Sequence, residues 1–388
     1  MFKANVGSSV NADARLAGEE AARKAKQGLE KVNMAYAYAS CAYDLDAMLA
    51  GIAGELPGVP IIGNTSFTGV ITPEGYVSGE NGFVGIMAVS DPDMAVGIAA
   101  VEKSDCARKA GREAAKLAME RAGKTTAPDY FYMVAPPGEE ETFLKGISDV
   151  IGRVPFYGGS AADNAIAGEW KLYTDKGVFA DGVAVAFFYT AKKMANKYTG
   201  AYRETKDMGI ITKIEGKRKL VEIDGVPALK KYASWRNLDI NSIKGGDLLV
   251  ATITSPLGVK DPIGDLVAIR HPMGGNDDLS MNIGNNLAVG TAVIRMEGSV
   301  DELIASTGKT LGELKEKLGE KAGAFHLVHC GGRRAGIGDR IDEVAKQLIA
   351  AADGVPFIAE FTFGEYGFED DGRNTCGGLM LSFTGFAQ

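Results

Sequence analysis

VPIIGNTS (59–66), VPFYGGSA (154–161) and VPFIAEFT (355–362) share a Val-Pro pair, two apolar or aromatic residues, a small residue, and then polar or small positions. Their neighbourhoods match as well. Ahead of each lies an apolar run rich in β-formers, VNMAYAYAS (32–40), DYFYMVA (129–135) and AFHLVHC (324–330), of the length a buried strand takes. Between run and Val-Pro, the i, i+3, i+4 spacing of apolar residues at 45–56, 141–150 and 341–351 predicts helices. In the last of these Ile341, Val344, Ala345, Leu348 and Ile349 make one apolar face, with Asp342, Glu343 and Lys346 off it.

A further apolar run follows each Val-Pro segment, at 82–89, 177–189 and 376–386, and a charged, Ala- or Leu-rich helix precedes each unit, at 14–31, 105–122 and 300–321. The predicted unit is α-β-α-β-β. Its first two strands are joined by a helix and are therefore expected to be parallel, with a right-handed crossover. Proline is tolerated where a strand begins, because that residue need not donate to the ladder.

Residues 202–298 separate the third unit from the second and read differently. GIITKI, KLVEIDG, DLLVATI, DLVAIRH, DLSMN and TAVIRM alternate over short lengths, which predicts antiparallel sheet, with a hairpin at 210–223 and a short helix at 227–237. The expected fold class is α/β in the mixed α+β sense: repeated units with mixed sheets plus an antiparallel β-rich insert. At 388 residues two domains are the first expectation, 1–200 holding two units and 201–388 holding the insert and the third.

Composition narrows the function. The chain is 46% hydrophobic and 24% charged, enough apolar material for a large core, and its net charge of −8 repels polyanions. No basic block with interleaved aromatics forms a nucleic-acid footprint; KIEGKRK (213–219) reads as a solvated hairpin tip. No secretory signal opens the sequence, and the longest apolar run, 183–189, falls far short of the ~20 residues that span a bilayer, so a cytoplasmic protein without membrane partners is expected. Cys41, Cys106, Cys330 and Cys376 form no CxxC pair, which suits reduced thiols.

The sequence resembles the FIST family, whose N-terminal and C-terminal domains pair in sensory proteins. The N-terminal resemblance lies in VPIIGNTSFTGVI (59–71) and GGSAADN (158–164). The C-terminal resemblance lies in EIDGVPALKKY (222–232), SPLGV (255–259), AIRHP (268–272), HCGGR (329–333) and FGEYG (363–367), in that order. It implies a sensory, small-molecule-binding role with amino acids or related metabolites as ligands. No kinase, methyl-accepting or cyclase module fits within this length, so output is expected from a signalling protein partner or from the protein's own conformational change, with a homodimer as a further candidate assembly.

Motif residues supply the candidate ligand contacts: Asn64, Ser66, Gly158, Gly159, Ser160, Asp163, Arg270, His271, Cys330, Arg333 and Glu365. Arg270 and Arg333 suit a bidentate grip on a carboxylate, Asp163 and Glu365 suit an amine, and the glycines permit close backbone approach. For each there is a plainer reading: strand packing for Gly158 and Gly159, a surface ion pair for Arg270, a buried thiol for Cys330. No complete Rossmann or P-loop fingerprint indicates a cofactor. Strand alternation sets His326 and Cys330 on the face opposite His329, and His326 and Cys330 stand ~13 Å apart along the strand, against a shared metal. Catalytic residues are therefore not assigned. Two alternatives stay open: a hydrolase or acyl-transfer enzyme using Cys330 or Ser160, and a protein-interaction scaffold.

Overall fold

The computed structural model describes residues 1–260, 265–370 and 372–388. Each Val-Pro pair leads into a buried strand, and the three stretches around these strands share one element order. The first runs β1 (Lys3–Ser9), α1 (Ala14–Ala25), β2 (Met34–Ala39), α2 (Leu45–Glu55), β3 (Ile61–Thr65), a hairpin of β4 (Val70–Thr72) and β5 (Gly75–Val77), and β6 (Val84–Ser90). The second runs β7 (Ala95–Glu102), α3 (Ala107–Arg121), β8 (Tyr130–Ala135), α4 (Glu140–Ile151), β9 (Phe156–Ser160), the hairpin β10 (Leu172–Thr174) and β11 (Gly177–Phe179), and β12 (Gly182–Tyr189).

The third unit opens with β13 (Met194–Thr199), after which the antiparallel region intervenes. That region comprises β14 (Arg203–Glu215), β15 (Lys219–Ile223), β16 (Val226–Pro227), α5 (Ala228–Arg236), α6 (Asp247–Ala251), β17 (Leu257–Lys260), β18 (Val267–Arg270), β19 (Pro272–Gly275), β20 (Met281–Ile283) and β21 (Ala292–Glu297). The unit resumes with α7 (Val300–Leu318), β22 (Ala322–Cys330), α8 (Gly331–Ile337), α9 (Ile341–Ala352), β23 (Phe357–Thr362), the hairpin β24 (Glu365–Phe368) and β25 (Asn374–Gly377), and β26 (Leu381–Ala387).

The fold is mixed α/β, with the expected parallel pairs β2–β3, β8–β9 and β22–β23, and all pairings in the 203–297 region are antiparallel. Three details differ from the sequence reading. Each unit opens with an additional strand, paired antiparallel with the unit's last strand. Each also carries a hairpin after the Val-Pro strand. DLLVATI, read as strand, instead forms the short helix α6, since an apolar run of this length does not distinguish the two states.

The hairpins are exchanged between units. β10 pairs with β3, β24 pairs with β9, and β4 pairs with β23, so each unit's hairpin completes another unit's sheet around a closed cycle. One face of each sheet packs on its own helices. The other faces meet in one core where Met34, Tyr36 and Tyr38 of the first sheet touch Tyr132 and Tyr157 of the second and Ala324 and Ile358 of the third.

That core has a polar centre. Tyr36 and Tyr157 hydroxyls lie 2.6 Å apart, Tyr38 bonds both His326 Nε2 and Tyr132, and the Tyr132 hydroxyl donates to Glu360 Oε1 at 3.0 Å. Asn64 Nδ2 donates to Glu360 Oε2 at 2.8 Å. Buried hydrogen-bonded networks of this kind favour one arrangement of packed elements over its neighbours.

Local sequence also sets the entry of the longest helix. Ser299 Oγ accepts from the Glu302 amide at 3.2 Å, while Glu302 Oε2 accepts from the Ser299 amide at 2.7 Å, a reciprocal capping box. Replacing Ser299 with Ala is expected to cost about 1 kcal/mol of stability in chemical denaturation; an unchanged denaturation midpoint would remove the cap from the account.

Candidate functional site

A cavity of about 300 Å³ opens where the antiparallel region meets the third unit and loops of the first two. Arg218, Leu249, His271, Met273, Ile283, Gly284 and Asn285 contribute from the antiparallel region. Cys330, Gly331, Gly332, Ala335, Phe363, Gly378 and Leu379 come from the third unit, and Phe67, Pro137, Gly138, Ile166 and Trp170 from the loops. The wall is mainly apolar, with a few polar groups, as small-molecule sites commonly are.

Of the residues singled out by sequence, His271 and Cys330 line this cavity. Asp163 sits behind it. Its carboxylate accepts from the amides of Ala165 (2.9 Å), Ala167 (3.0 Å) and Glu169 (2.8 Å) and so shapes the loop that presents Ile166 and Trp170. Ile166 is held at φ 57°, an uncommon conformation for a β-branched residue, and is half exposed at the cavity.

The other candidates lie elsewhere. Arg333 is fully buried, its Nη1 donating to Gly200 O at 2.9 Å and its Nη2 to Leu303 O (2.9 Å) and Ser306 Oγ (2.6 Å). Arg270 Nη1 donates to Ile269 O (3.2 Å) and Cys376 O (3.1 Å). The two guanidinium groups do not converge at the cavity as a carboxylate clamp, because each is taken up by backbone carbonyls within the fold. Asn64 belongs to the central network, and Ser66 Oγ bonds Gly69 O at 2.7 Å and accepts from the Phe361 amide at 2.9 Å. Gly158 and Gly159 are pressed against Met133 and Thr362 in the sheet, and Ser160 Oγ contacts Glu140 (3.2 Å) and Tyr366 (2.7 Å) away from the cavity.

Glu365 stands one layer behind the wall. Its carboxyl accepts from Thr362 Oγ1 (3.0 Å) and the Met380 amide (2.8 Å) and lies beside the Cys330 thiol. Cys330 Sγ in turn accepts from the amides of Gly332 and Leu379, each at 3.2 Å. Burial, then the neighbouring Glu365 carboxyl, hold the thiol well above its ordinary pKa, so it is a neutral thiol at physiological pH.

With this geometry in hand, the chain's relatives can be placed. The FIST N domain model matches residues 33–226 and the FIST C domain model matches 228–367. The chain belongs to the FIST family. FIST domains are sensory, small-ligand-binding domains of signal transduction. No curated protein matches the sequence. Among solved structures, a cyanuric acid hydrolase from A. caulinodans is similar over 100% of both chains, at 10% identity and a TM-score of 0.38. Phosphoribosylformylglycinamidine synthase II from Thermotoga maritima is similar over 100% of this chain and 72% of that one, at 12% identity and a TM-score of 0.23. Both scores are too low to bear on activity.

Several cavity residues of this FIST protein escape a reading of its motifs. Arg218 lies in KIEGKRK, expected to be a solvated tip, yet it donates to Glu140 Oε2, to Glu141 Oε2 (2.7 Å), to Gly284 O (2.6 Å) and to Asn286 Oδ1 (3.2 Å). Burial lowers its pKa, but Glu140 and Glu141 outweigh that and push it up, which keeps the guanidinium charged. The tip thereby clasps the antiparallel region to the start of α4. Trp170, one of only two tryptophans, sits in a polar loop and was the available sequence signal for a recognition surface. Among the described residues no group of three or more His, Cys, Asp or Glu converges as a metal site, and no helix is long and apolar enough to cross a membrane.

Proposed function

We propose that this FIST protein is a small-molecule sensor whose ligand occupies the cavity between the antiparallel region and the three-unit core. The observation that carries this reading is the composition of the cavity wall: three separate parts of the chain contribute to it, so an occupant binds them to one another and stabilises one mutual arrangement. The family's sensory role, and the ligand class that the resemblance implies, put amino acids and related metabolites among the compounds to screen. Output then passes through a signalling partner or a second copy.

Ala335 lines the cavity from an exposed position on α8, so Ala335→Trp fills the space with little disturbance to the core. A metabolite retained in native mass spectrometry, or raising the melting temperature of the parent protein, is expected to lose its effect in Ala335→Trp. Ligands that bind both proteins equally would place the sensor site elsewhere.

The position of Cys330 in the same wall favours a second reading, acyl transfer through a thiol with Glu365 as base. Its two amide contacts are spent on the sulfur, and the raised thiol pKa leaves little thiolate. Alkylation by iodoacetamide at neutral pH is accordingly expected to be at least about tenfold slower at Cys330 than at exposed Cys106, followed by peptide mapping. Faster modification of Cys330 would promote the enzyme reading.

A further inference from the structure

We infer that the cavity takes an uncharged ring compound of one or two rings that donates a hydrogen bond to Asn285. This rests on the reading that the cavity is the ligand site, and deepens it by naming the ligand's chemical class.

Shape comes first. Phe67 and Trp170 both pack on Phe363, with ring centroids 5.7 and 6.1 Å apart, so one side of the cavity is an aromatic wall. A cavity of about 150 Å³ holds one benzene ring, so a volume of about 300 Å³ suits roughly two. Gly332 and Gly378 also line the cavity, where side chains would not fit freely. A Cβ on Gly332 would lie 2.8 Å from Leu379 Cδ2 and 3.5 Å from both Cys330 Sγ and His271 Cε1, and one on Gly378 would lie 3.2 Å from His271 Cβ and 3.7 Å from Asn285 Oδ1.

Polarity is more selective. Asn285 is 2% exposed and its Oδ1 has no hydrogen-bond partner among the described residues, an arrangement that carries a desolvation penalty until a donor arrives. The residue is held from both sides. The Gly284 amide donates to His271 O at 2.9 Å, Arg218 Nη1 donates to Gly284 O at 2.6 Å, and the Asn286 amide donates to Glu141 Oε1 at 2.9 Å. The backbone on either side of Asn285 is therefore fixed before any ligand enters.

Charge decides the rest. Arg218 is the one cation in the described lining, and its donors are committed to Glu140, Glu141, Gly284 O and Asn286 Oδ1. No carboxylate is among the described lining residues. His271 is neutral, burial drawing its pKa down to about 4, and with Nε2–H donating to Leu249 O at 3.0 Å its Nδ1 is left as an acceptor. An ammonium meets no carboxylate in this described wall, and a carboxylate meets only an Arg218 whose charge Glu140 and Glu141 already offset, which is the costly case for a buried ion. Asn285 Oδ1 and His271 Nδ1 are acceptors that a ligand satisfies by bringing its own N–H or O–H.

Indole, 1-methylindole and L-tryptophan separate the possibilities by calorimetry on the full chain. Indole is expected to bind, 1-methylindole to bind about tenfold more weakly, and tryptophan to give no detectable heat. Asn285→Leu is expected to weaken indole by a similar factor while leaving 1-methylindole unchanged, and Ala335→Trp to abolish both. The comparison of the two indoles in the parent protein stands even where Asn285→Leu fails to fold. Equal affinity for the two indoles, or no binding of indole at millimolar concentration, overturns the class. Tryptophan binding that disappears in Ala335→Trp overturns the class but leaves the cavity as the ligand site; indole binding untouched by Ala335→Trp overturns the site itself.

Discussion

Replacing Gly158 with Ala is expected to destabilise the protein by about 2–6 kcal/mol, through backbone strain of ~1–3 kcal/mol and overpacking of similar size. Gly158 lies in β9 at φ 141°, a conformation that L side chains rarely adopt, and a Cβ there would stand 1.9 Å from Met133 O and 2.9 Å from Met133 C. The obstruction is the backbone of the adjacent strand, in register with Gly158, and cannot rotate away as a side chain would. Unfolding entropy of ~2.1 cal/mol/K per residue over this length converts the loss to roughly 2–7 °C in melting temperature.

Strand β9 runs directly into the Asp163 loop that carries Ile166 and Trp170, so any population that remains folded is also expected to bind cavity ligands more weakly. Gly28→Ala provides the comparison. That glycine also has positive φ, 74°, but a Cβ would meet nothing within 4 Å, so backbone strain alone acts, at about 1 kcal/mol. If the two variants melted together, steric closeness at Gly158 would contribute nothing. The corresponding position of the third Val-Pro segment is Ala359, which shows that the tight approach belongs to the first two copies and is not required by the strand as such.

Much of the scaffold is visible in the sequence because buried strands and amphipathic helices carry strong local patterns. MAYAYA and AGAFHLVHC are buried throughout and YFYMVA at all but its first residue, and their apolar runs stand out. The opening strands are weaker: KANVGSS is small and partly polar and is buried only at its end. The exchanged hairpins have strands of three or four residues, too short for periodicity, and their partners lie far away in the chain, as when Val70 pairs with Glu360. The cavity depends on those distant pairings, bringing Phe67 to Phe363 and Asn285 to Gly378. His271 and Cys330 were legible because they stand in motifs. Arg270 and Arg333 were misleading because residue type reveals a guanidinium but not the carbonyls that consume it. Asn285 carried no signal, since an unmet acceptor exists only once its surroundings are folded.

Thermal stability is expected to fall by about 3 kcal/mol between pH 6.5 and 8.5, the larger part from Glu365 and the rest from Glu360. Both are fully buried, and burial raises their carboxyl pKa values from 4.5 to about 8 and about 7. A carboxyl with a raised folded pKa keeps a proton that the unfolded chain has already released, so its contribution is full below the unfolded value and is lost as pH rises through the folded one. Each pH unit within that window is worth about 1.4 kcal/mol per group.

Three histidines act in the opposite sense. Burial lowers His271 to about 4, His326 to about 3 and His329 well below 6.5, so the unfolded chain takes up protons that the native state refuses, and stability is lost as pH falls below 6.5. Between about pH 4.5 and 6.5 the two carboxyls largely offset the three imidazoles; below about 4.5 that offset ends and stability drops by roughly 2–3 kcal/mol per pH unit, less than three full protons because His271 and His326 themselves begin to titrate near 4 and 3. The hydrogen bonds suit a neutral imidazole: one proton per hydroxyl gives His326 Nε2–H to Tyr38, Tyr38 to Tyr132, and Tyr132 to Glu360, leaving His326 Nδ1 without a partner among the described residues. The bonds that Tyr132 and Asn64 donate favour the Glu360 carboxylate instead and are outweighed by burial. In melting curves across the pH range, Glu360→Gln combined with Glu365→Gln should flatten the alkaline limb and leave the acid limb in place. An alkaline limb of unchanged slope in that double variant would mean that other groups titrate there, and that the buried carboxyls are ionised in the native protein at neutral pH.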